Sequence, residues 1–257
     1  MPVPLFFADY GVGSPLIILH GLFGSSVNWR RIARFLGQQH RVLAIDLRNH
    51  GQSAQAQTMS YAEMVDDLFA LMDREALLRA TLLGHSVGGK VAMLAALRQP
   101  ERVAELIIVD IAPVQYRRDY TQIITALQGV DLNRVARRAD ADVQLKQWIA
   151  DMRLRSFLLQ NLVSEAGRYR WRVFLPGLAR ALPELHGFPD LSPRCRYWGK
   201  SLVVRGEQSD YVVPEFYPVI RARFPLAEIV SIPGASHWVH ADQPERFQSA
   251  LQHFLAQ

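Results

Sequence analysis

Between an apolar run ending at Leu83 and a run of small and apolar residues beginning at Val87 stand Gly84-His85-Ser86-Val87-Gly88. This spacing restricts the local fold more than anything else in the chain. A serine flanked two positions away on either side by glycine matches a strained strand-to-helix turn, which lifts the hydroxyl clear of a parallel sheet. The glycines have a steric reason: in such a turn the chain passes so close to itself that a side chain at 84 or 88 would strike strand or helix. Gly88, Gly89, Ala92, Ala95 and Ala96 then let the following helix lie close on the sheet.

The same stretch reads as the start of a phosphate-binding loop, Gly84-x-x-x-x-Gly89-Lys90. That reading fails at Val91, which stands where a Ser or Thr hydroxyl would hold magnesium. No second apolar strand ends in an Asp with an evident magnesium role.

Around the turn the chain alternates strand-like and helix-like segments. Leu5-Phe-Phe and Leu16-Ile-Ile-Leu read as an edge strand followed by a buried one. Arg41 to Asp46, Val103 to Val109, Ser201 to Arg205 and Ala227 to Ile232 read as further strands. Tyr61 to Leu78 has apolar residues on one face and Asp66, Asp67 and Asp73 on the other, with Ser60 placed as N-cap. The alternation predicts a mostly parallel sheet with right-handed crossovers, flanked by helices. In such sheets chemistry gathers at the carboxyl ends of the strands, where His20, Asp46, Ser86 and Asp110 all fall.

From 114 to 195 the strand signal disappears, and Pro176, Pro183, Pro189 and Pro193 break a segment rich in Arg and Leu. The expectation is an α/β core over 1–113 and 196–257, with a helical cap of three or four helices inserted at 114–195. Among Leu154, Phe157, Leu158, Leu159, Leu162, Val163, Trp171 and Phe174, some are expected to line an apolar pocket. Residues 114–185 hold 11 Arg and one Lys against 5 Asp and 2 Glu, the whole of the chain's net charge of +5. Those arginines alternate with acids and apolar residues at helical spacing, which describes solvated helix faces and argues against a nucleic-acid partner. An anionic group on a substrate, such as a nucleotide-bearing acyl carrier, is the functional alternative for this charge.

Cys195 is the only cysteine, so neither an internal disulfide nor a cysteine metal site is available. The amino-terminal residues have no basic region followed by a long apolar one, and no apolar run approaches the roughly 18 residues that span a bilayer. A cytoplasmic protein without membrane insertion is expected.

A serine hydroxyl needs a base within hydrogen-bond reach, and a histidine held by a carboxylate supplies one near neutral pH. Of eight histidines, His237 fits best, because Gly234-Ala-Ser-His places it on the loop leaving the last strand; His240 lies one helical turn further on. His20 and His85 flank glycines and are expected to shape loops. Strand 16–19 runs into His20-Gly21-Leu22-Phe23-Gly24, the loop that supplies one oxyanion donor in nucleophile-elbow hydrolases, the other being the residue after the serine. Here these are the N–H groups of Leu22 and Val87. For the acid, Asp110 and Asp210 both follow strands that open on the same sheet edge, and spacing does not choose between them.

His-Gly-Leu-Phe-Gly-Ser at 20–25, Asp-Leu-Arg-Asn-His-Gly-Gln-Ser at 46–53, Gly-His-Ser-Val-Gly-Gly-Lys at 84–90, Val-Asp-Ile-Ala-Pro-Val at 109–114 and Gly-Ala-Ser-His-Trp-Val-His-Ala at 234–241 together resemble the α/β-hydrolase fold, more narrowly the small bacterial YbfF-type esterases. The resemblance spans nearly the whole chain. It implies that the acid is Asp110, the Asp of Asp-Ile-Ala-Pro, although Ser209-Asp210-Tyr211-Val212 departs from that group by placing a carboxylate near the usual acid position. It also implies a serine carboxylesterase acting on small-molecule, short-to-medium acyl esters, acyl-CoA thioesters among them, through Ser86, His237 and Asp110. No metal or organic cofactor enters such a mechanism. A C–C bond hydrolase or lyase on the same fold, and a ligand-binding protein with slow turnover, are the competing readings.

Overall fold

The structure is a computed structural model describing residues 1–257. Seven strands form one sheet: β1 (Phe7–Tyr10), β2 (Ser14–Leu19), β3 (His40–Ile45), β4 (Ala80–His85), β5 (Val103–Val109), then Ser201–Gly206 and Ala227–Ile232. The last two are numbered β8 and β9, because β6 (Leu162–Glu165) and β7 (Arg168–Trp171) form a separate hairpin. The strand order is β1-β3-β2-β4-β5-β8-β9. Only β1 runs antiparallel, against β3, at the sheet edge.

The inner strands lack polar alternation because both faces are covered. Ile17, Leu19, Leu43, Ile45, Leu82 and Ile108 pack into one core with α2 (Tyr61–Arg74) and α3 (Val87–Arg98). Leu16, Ile18, Val42, Ala44, Leu83 and Val109 pack on the opposite face with α1 (Arg30–Leu36) and α10 (Pro244–Leu255). From β2 the chain passes to β3 on one side, then returns to place β4 on the other. The carboxyl ends of β2 and β4 therefore flank the point where the winding reverses, the usual position for a ligand crevice.

Ser60 caps α2 as expected: its side chain accepts from the Glu63 N–H at 3.2 Å, and Glu63 accepts from the Ser60 N–H at 2.8 Å. The helix ends at Arg74, short of the expected Leu78. Ala76 adopts φ 53°, a left-handed conformation that stops the helix, and Leu78 beyond it is exposed.

The insertion between β5 and β8 holds α4 (Thr121–Gln128), α5 (Arg138–Leu145), α6 (Met152–Leu158) and α7 (Leu175–Leu185). It also contains the β6–β7 hairpin, which the sequence reading missed. Glu165 pairs with Arg168 across a loop of Ala166 and Gly167, both at positive φ (49° and 76°), the conformation of a tight two-residue hairpin turn. Ala-Gly is a weaker signal for that turn than Asn-Gly, and the alternation is confined to the four residues of β7. Buried Ile124, Leu127, Leu158 and Leu178 join the same core as α2 and α3, so the insertion is packed continuously onto one face of the sheet.

Two buried polar ties fix the loops at the sheet's carboxyl edge. The Arg48 guanidinium makes a two-pronged ion pair with Asp67, Nε to Oδ2 at 2.6 Å and Nη2 to Oδ1 at 2.8 Å, and both side chains are only 1 % exposed. Asp46 accepts from the Ser26 and Gln52 N–H groups at 2.6 and 2.8 Å.

Candidate active site

At the end of β4 the backbone turns through Ser86 at φ 53° and ψ −121°, and α3 begins at the next residue. The turn is closed by contacts that admit no side chain: a Cβ on Gly84 would lie 2.2 Å from the Gly88 carbonyl oxygen, and one on Gly88 2.4 Å from that of Leu19. The Ser86 N–H donates to the Val109 carbonyl at 3.1 Å, tying the turn to β5. Its side chain faces a cavity of about 270 Å³ that His237 also lines.

His237 leaves the sheet on the loop after β9. Its Nδ1–H donates to Asp110 Oδ2 at 2.8 Å, which assigns Nε2 as the nitrogen free to accept a proton. The ring is stacked on Tyr211, with centroids 3.8 Å apart and planes 17° apart. His85 Nε2–H donates to the His237 carbonyl at 2.9 Å and so holds the loop from beneath. Ser86 and His237 form no hydrogen bond to each other here; such contacts commonly tighten only around bound substrate.

Asp110 is fully buried at the end of β5. Besides His237, it accepts from the Gly206 N–H at 2.9 Å and from the Ser209 hydroxyl. The Tyr211 N–H in turn donates to Ser209 Oγ at 3.2 Å. Three donors converge on this carboxylate and fix its orientation. Asp210 points elsewhere: its side chain is 73 % exposed and pairs with Arg118. The structure thus brings Ser86, His237 and Asp110 to one place and leaves Asp210 outside it.

The loop after β2 is held by two buried histidines. His20 Nδ1–H donates to the Gly21 carbonyl at 2.8 Å, and its Nε2 accepts from the Leu47 N–H at 3.0 Å. His50 Nδ1–H donates to the Arg48 carbonyl at 2.9 Å, and its Nε2 accepts from the Phe23 N–H at 3.1 Å. Each accepting nitrogen requires a neutral ring, and burial pushes the two groups down to about 4 and about 3. With the Phe23 N–H engaged, the Leu22 N–H beside Ser86 donates to no protein acceptor. Val87 opens α3, where the helix ladder offers its N–H no partner.

His240, the competing base, lies flat on Trp29, with ring centroids 4.1 Å apart, and burial pushes it down to about 3. It lines the cavity but does not reach Asp110.

Lys90 is buried on α3, one turn after Ser86. Its ammonium donates to the carbonyls of Val114, His186 and Gly187, and it lies 4.8 Å from the Tyr116 ring centroid. The group that a phosphate-binding loop would hold toward a nucleotide is spent on internal carbonyls. This cage was not visible from the sequence, nor was Ser209, whose only signal is a small hydroxyl residue beside Asp210 at the end of β8.

Of the apolar residues expected to line a pocket, Leu154 and Phe157 do so, joined by Tyr120, Ile123 and Trp238. Leu158, Leu159 and Leu162 are buried in the core instead. Asn28, Phe157, Trp238 and His240 also border a second, more open groove of about 830 Å³ carrying Arg138, Arg153 and Arg172. No three His, Cys, Asp or Glu side chains are grouped to hold a metal ion, and no helix is long and apolar enough to cross a membrane.

Comparison with known proteins gives a consistent neighbourhood. A family model described as alpha/beta hydrolase fold matches residues 14–244. The chain is 39 % identical over 257 residues to the sn-1-specific diacylglycerol lipase ABHD11 of Danio rerio, covering 97 % of this chain and 80 % of that protein. It is 33 % identical over 244 residues to esterase YbfF of Escherichia coli (strain K12), covering 94 % and 93 %. Among solved structures, one described as a marine microorganism esterase superposes with a TM-score of 0.94 at 36 % identity, covering 98 % of this chain and 99 % of that one.

Proposed function

This chain belongs to the alpha/beta hydrolase fold family, and from that premise we propose that it is a serine carboxylic-ester hydrolase using Ser86, His237 and Asp110. The observation that carries this reading is the 2.8 Å bond from His237 Nδ1 to buried Asp110, beside a cavity that His237 and Ser86 both line. The esterase and lipase names of the relatives support ester hydrolysis. Short-to-medium acyl esters, thioesters included, are the proposed substrates, and 114–195 is the proposed cap over the site.

In the first half-reaction Ser86 Oγ bonds to the acyl carbon as its proton passes to His237 Nε2. Asp110 keeps the imidazole in the required tautomer and stabilises its cationic form. Charge developing on the carbonyl oxygen is met by the N–H groups of Leu22 and Val87, fixed before the reaction begins. The bond to the leaving oxygen then breaks as His237 returns the proton to it, and an alcohol or thiol departs. Water repeats the sequence on the acyl-Ser86 ester, releasing the acid and restoring the serine.

Steady hydrolysis of p-nitrophenyl acetate and butyrate, abolished in Ser86→Ala, is the expected result. Equal turnover by the folded Ser86→Ala protein would refute the reading.

A further inference from the structure

Two spaces meet at Ser86, and they differ in which reacting groups they see. The larger, about 270 Å³, is lined by Ser86, Leu22 and His237. The smaller, about 20 Å³, is lined by Ser86, Leu22 and Val87 but not by His237. Its far walls include Ile111, Tyr116, Tyr120 and Leu185.

The chemistry assigns the two spaces. In the tetrahedral intermediate the acyl carbon carries Ser86 Oγ, the oxyanion, the leaving oxygen and the acyl chain. The leaving oxygen must receive its proton from His237 Nε2, so the alcohol side occupies the space that His237 lines. The oxyanion points at the Leu22 and Val87 N–H groups. The acyl chain is left with the smaller space, whose volume is that of one or two water molecules and accommodates a methyl or ethyl group.

The walls of the smaller space are tied, so it does not open cheaply. Tyr61 donates to the Leu185 carbonyl at 2.7 Å. The Tyr116 hydroxyl accepts from the Ala112 N–H at 2.8 Å and donates to the Tyr211 carbonyl at 2.6 Å. Lys90 draws in the carbonyls of Val114 and His186 at 3.0 and 3.2 Å. The alcohol side is more than tenfold roomier, and its walls Phe157 and Trp238 also border the outer groove of about 830 Å³.

Resting on the esterase reading, we propose that this enzyme selects acetyl and propionyl esters of bulky alcohols, with acyl length limited by the small space walled by Leu185 and Ile111. Each methylene beyond propionyl must displace packed wall atoms, and discrimination of about tenfold or more against a misfitting chain is within reach of such a pocket.

The test is kcat/KM across p-nitrophenyl acetate, propionate, butyrate, hexanoate and octanoate, beside a series of acetates of increasingly large alcohols. The expected profile peaks at acetate or propionate, is lower by at least about tenfold at hexanoate, and stays level as the alcohol grows. Leu185→Ala, or Ile111→Ala if the first variant does not fold, is expected to raise the hexanoate-to-acetate ratio of kcat/KM. Wild-type hexanoate or octanoate turnover equal to or faster than acetate overturns the assignment, as does a folded variant with an unchanged ratio. Failure to hydrolyse any ester is a different result, which overturns the esterase reading itself.

Discussion

His237 Nδ1 lies 2.8 Å from Asp110 Oδ2, whereas Asp210, an equally eligible carboxylate by its place in the chain, is exposed and paired with Arg118. A substitution at each position separates the two. Asp110→Asn removes the carboxylate that sets the imidazole tautomer, and kcat for p-nitrophenyl acetate is expected to fall by about 10⁴. Asp210→Asn breaks only a surface pair and is expected to leave kcat essentially unchanged. Steady-state kinetics of both purified variants decide the matter, and the reverse pattern would transfer the role to Asp210.

The Lys90 ammonium has no carboxylate partner, and burial pushes its pKa from an ordinary value of 10.5 down to about 7. Below pH 7 both folded and unfolded chains carry this proton, so the group adds no pH dependence there. Between about 7 and 10.5 the unfolded chain binds more protons than the folded one, so this residue's contribution to stability rises with pH. Lys90→Met is expected to remove that rise. It also leaves the Val114 and Gly187 carbonyls without this donor, costing roughly 1–3 kcal/mol. Urea unfolding at pH 6.5 and 9 reads both effects; a variant with the wild-type pH slope would show that Lys90 does not titrate in this window.

Much of this arrangement is legible in the chain itself, for physical reasons that also mark where legibility stops. Strands buried on both faces leave apolar runs, so β2 to β5 and β8 are visible as such, while the half-buried edge strand β9 shows through Ile229, Val230 and Ile232. The closed turn at Ser86 requires glycine at 84 and 88, which exposes its position. The hairpin β6–β7 is short: Arg168-Tyr169-Arg170-Trp171 alternates exposed and half-buried, but over only four residues, and Leu162–Glu165 does not. Asp110 and Asp210 could not be ranked by spacing, since the difference lies in the direction of two side chains at the ends of adjacent strands. The smaller space beside Ser86 brings together residues from 22 to 211, a convergence no local pattern encodes.

Arg48 and Asp67 are buried together, so removing one strands the other. Arg48→Met is expected to lower stability by about 3–5 kcal/mol, because an unpaired carboxylate remains in a site closed to water. Replacing both, as Arg48→Met with Asp67→Leu, is expected to recover a large part of that loss. Chemical denaturation of the two variants checks this, and a double variant less stable than the single one would contradict it.

Ser86 as nucleophile is tested most directly by a fluorophosphonate, which phosphonylates only an activated serine. Intact-mass analysis is expected to show one covalent adduct per chain, mapping to the peptide containing Ser86 and absent from Ser86→Ala, with ester hydrolysis lost in step with labelling. Full ester hydrolysis by a folded protein that takes up no label at Ser86 would contradict it.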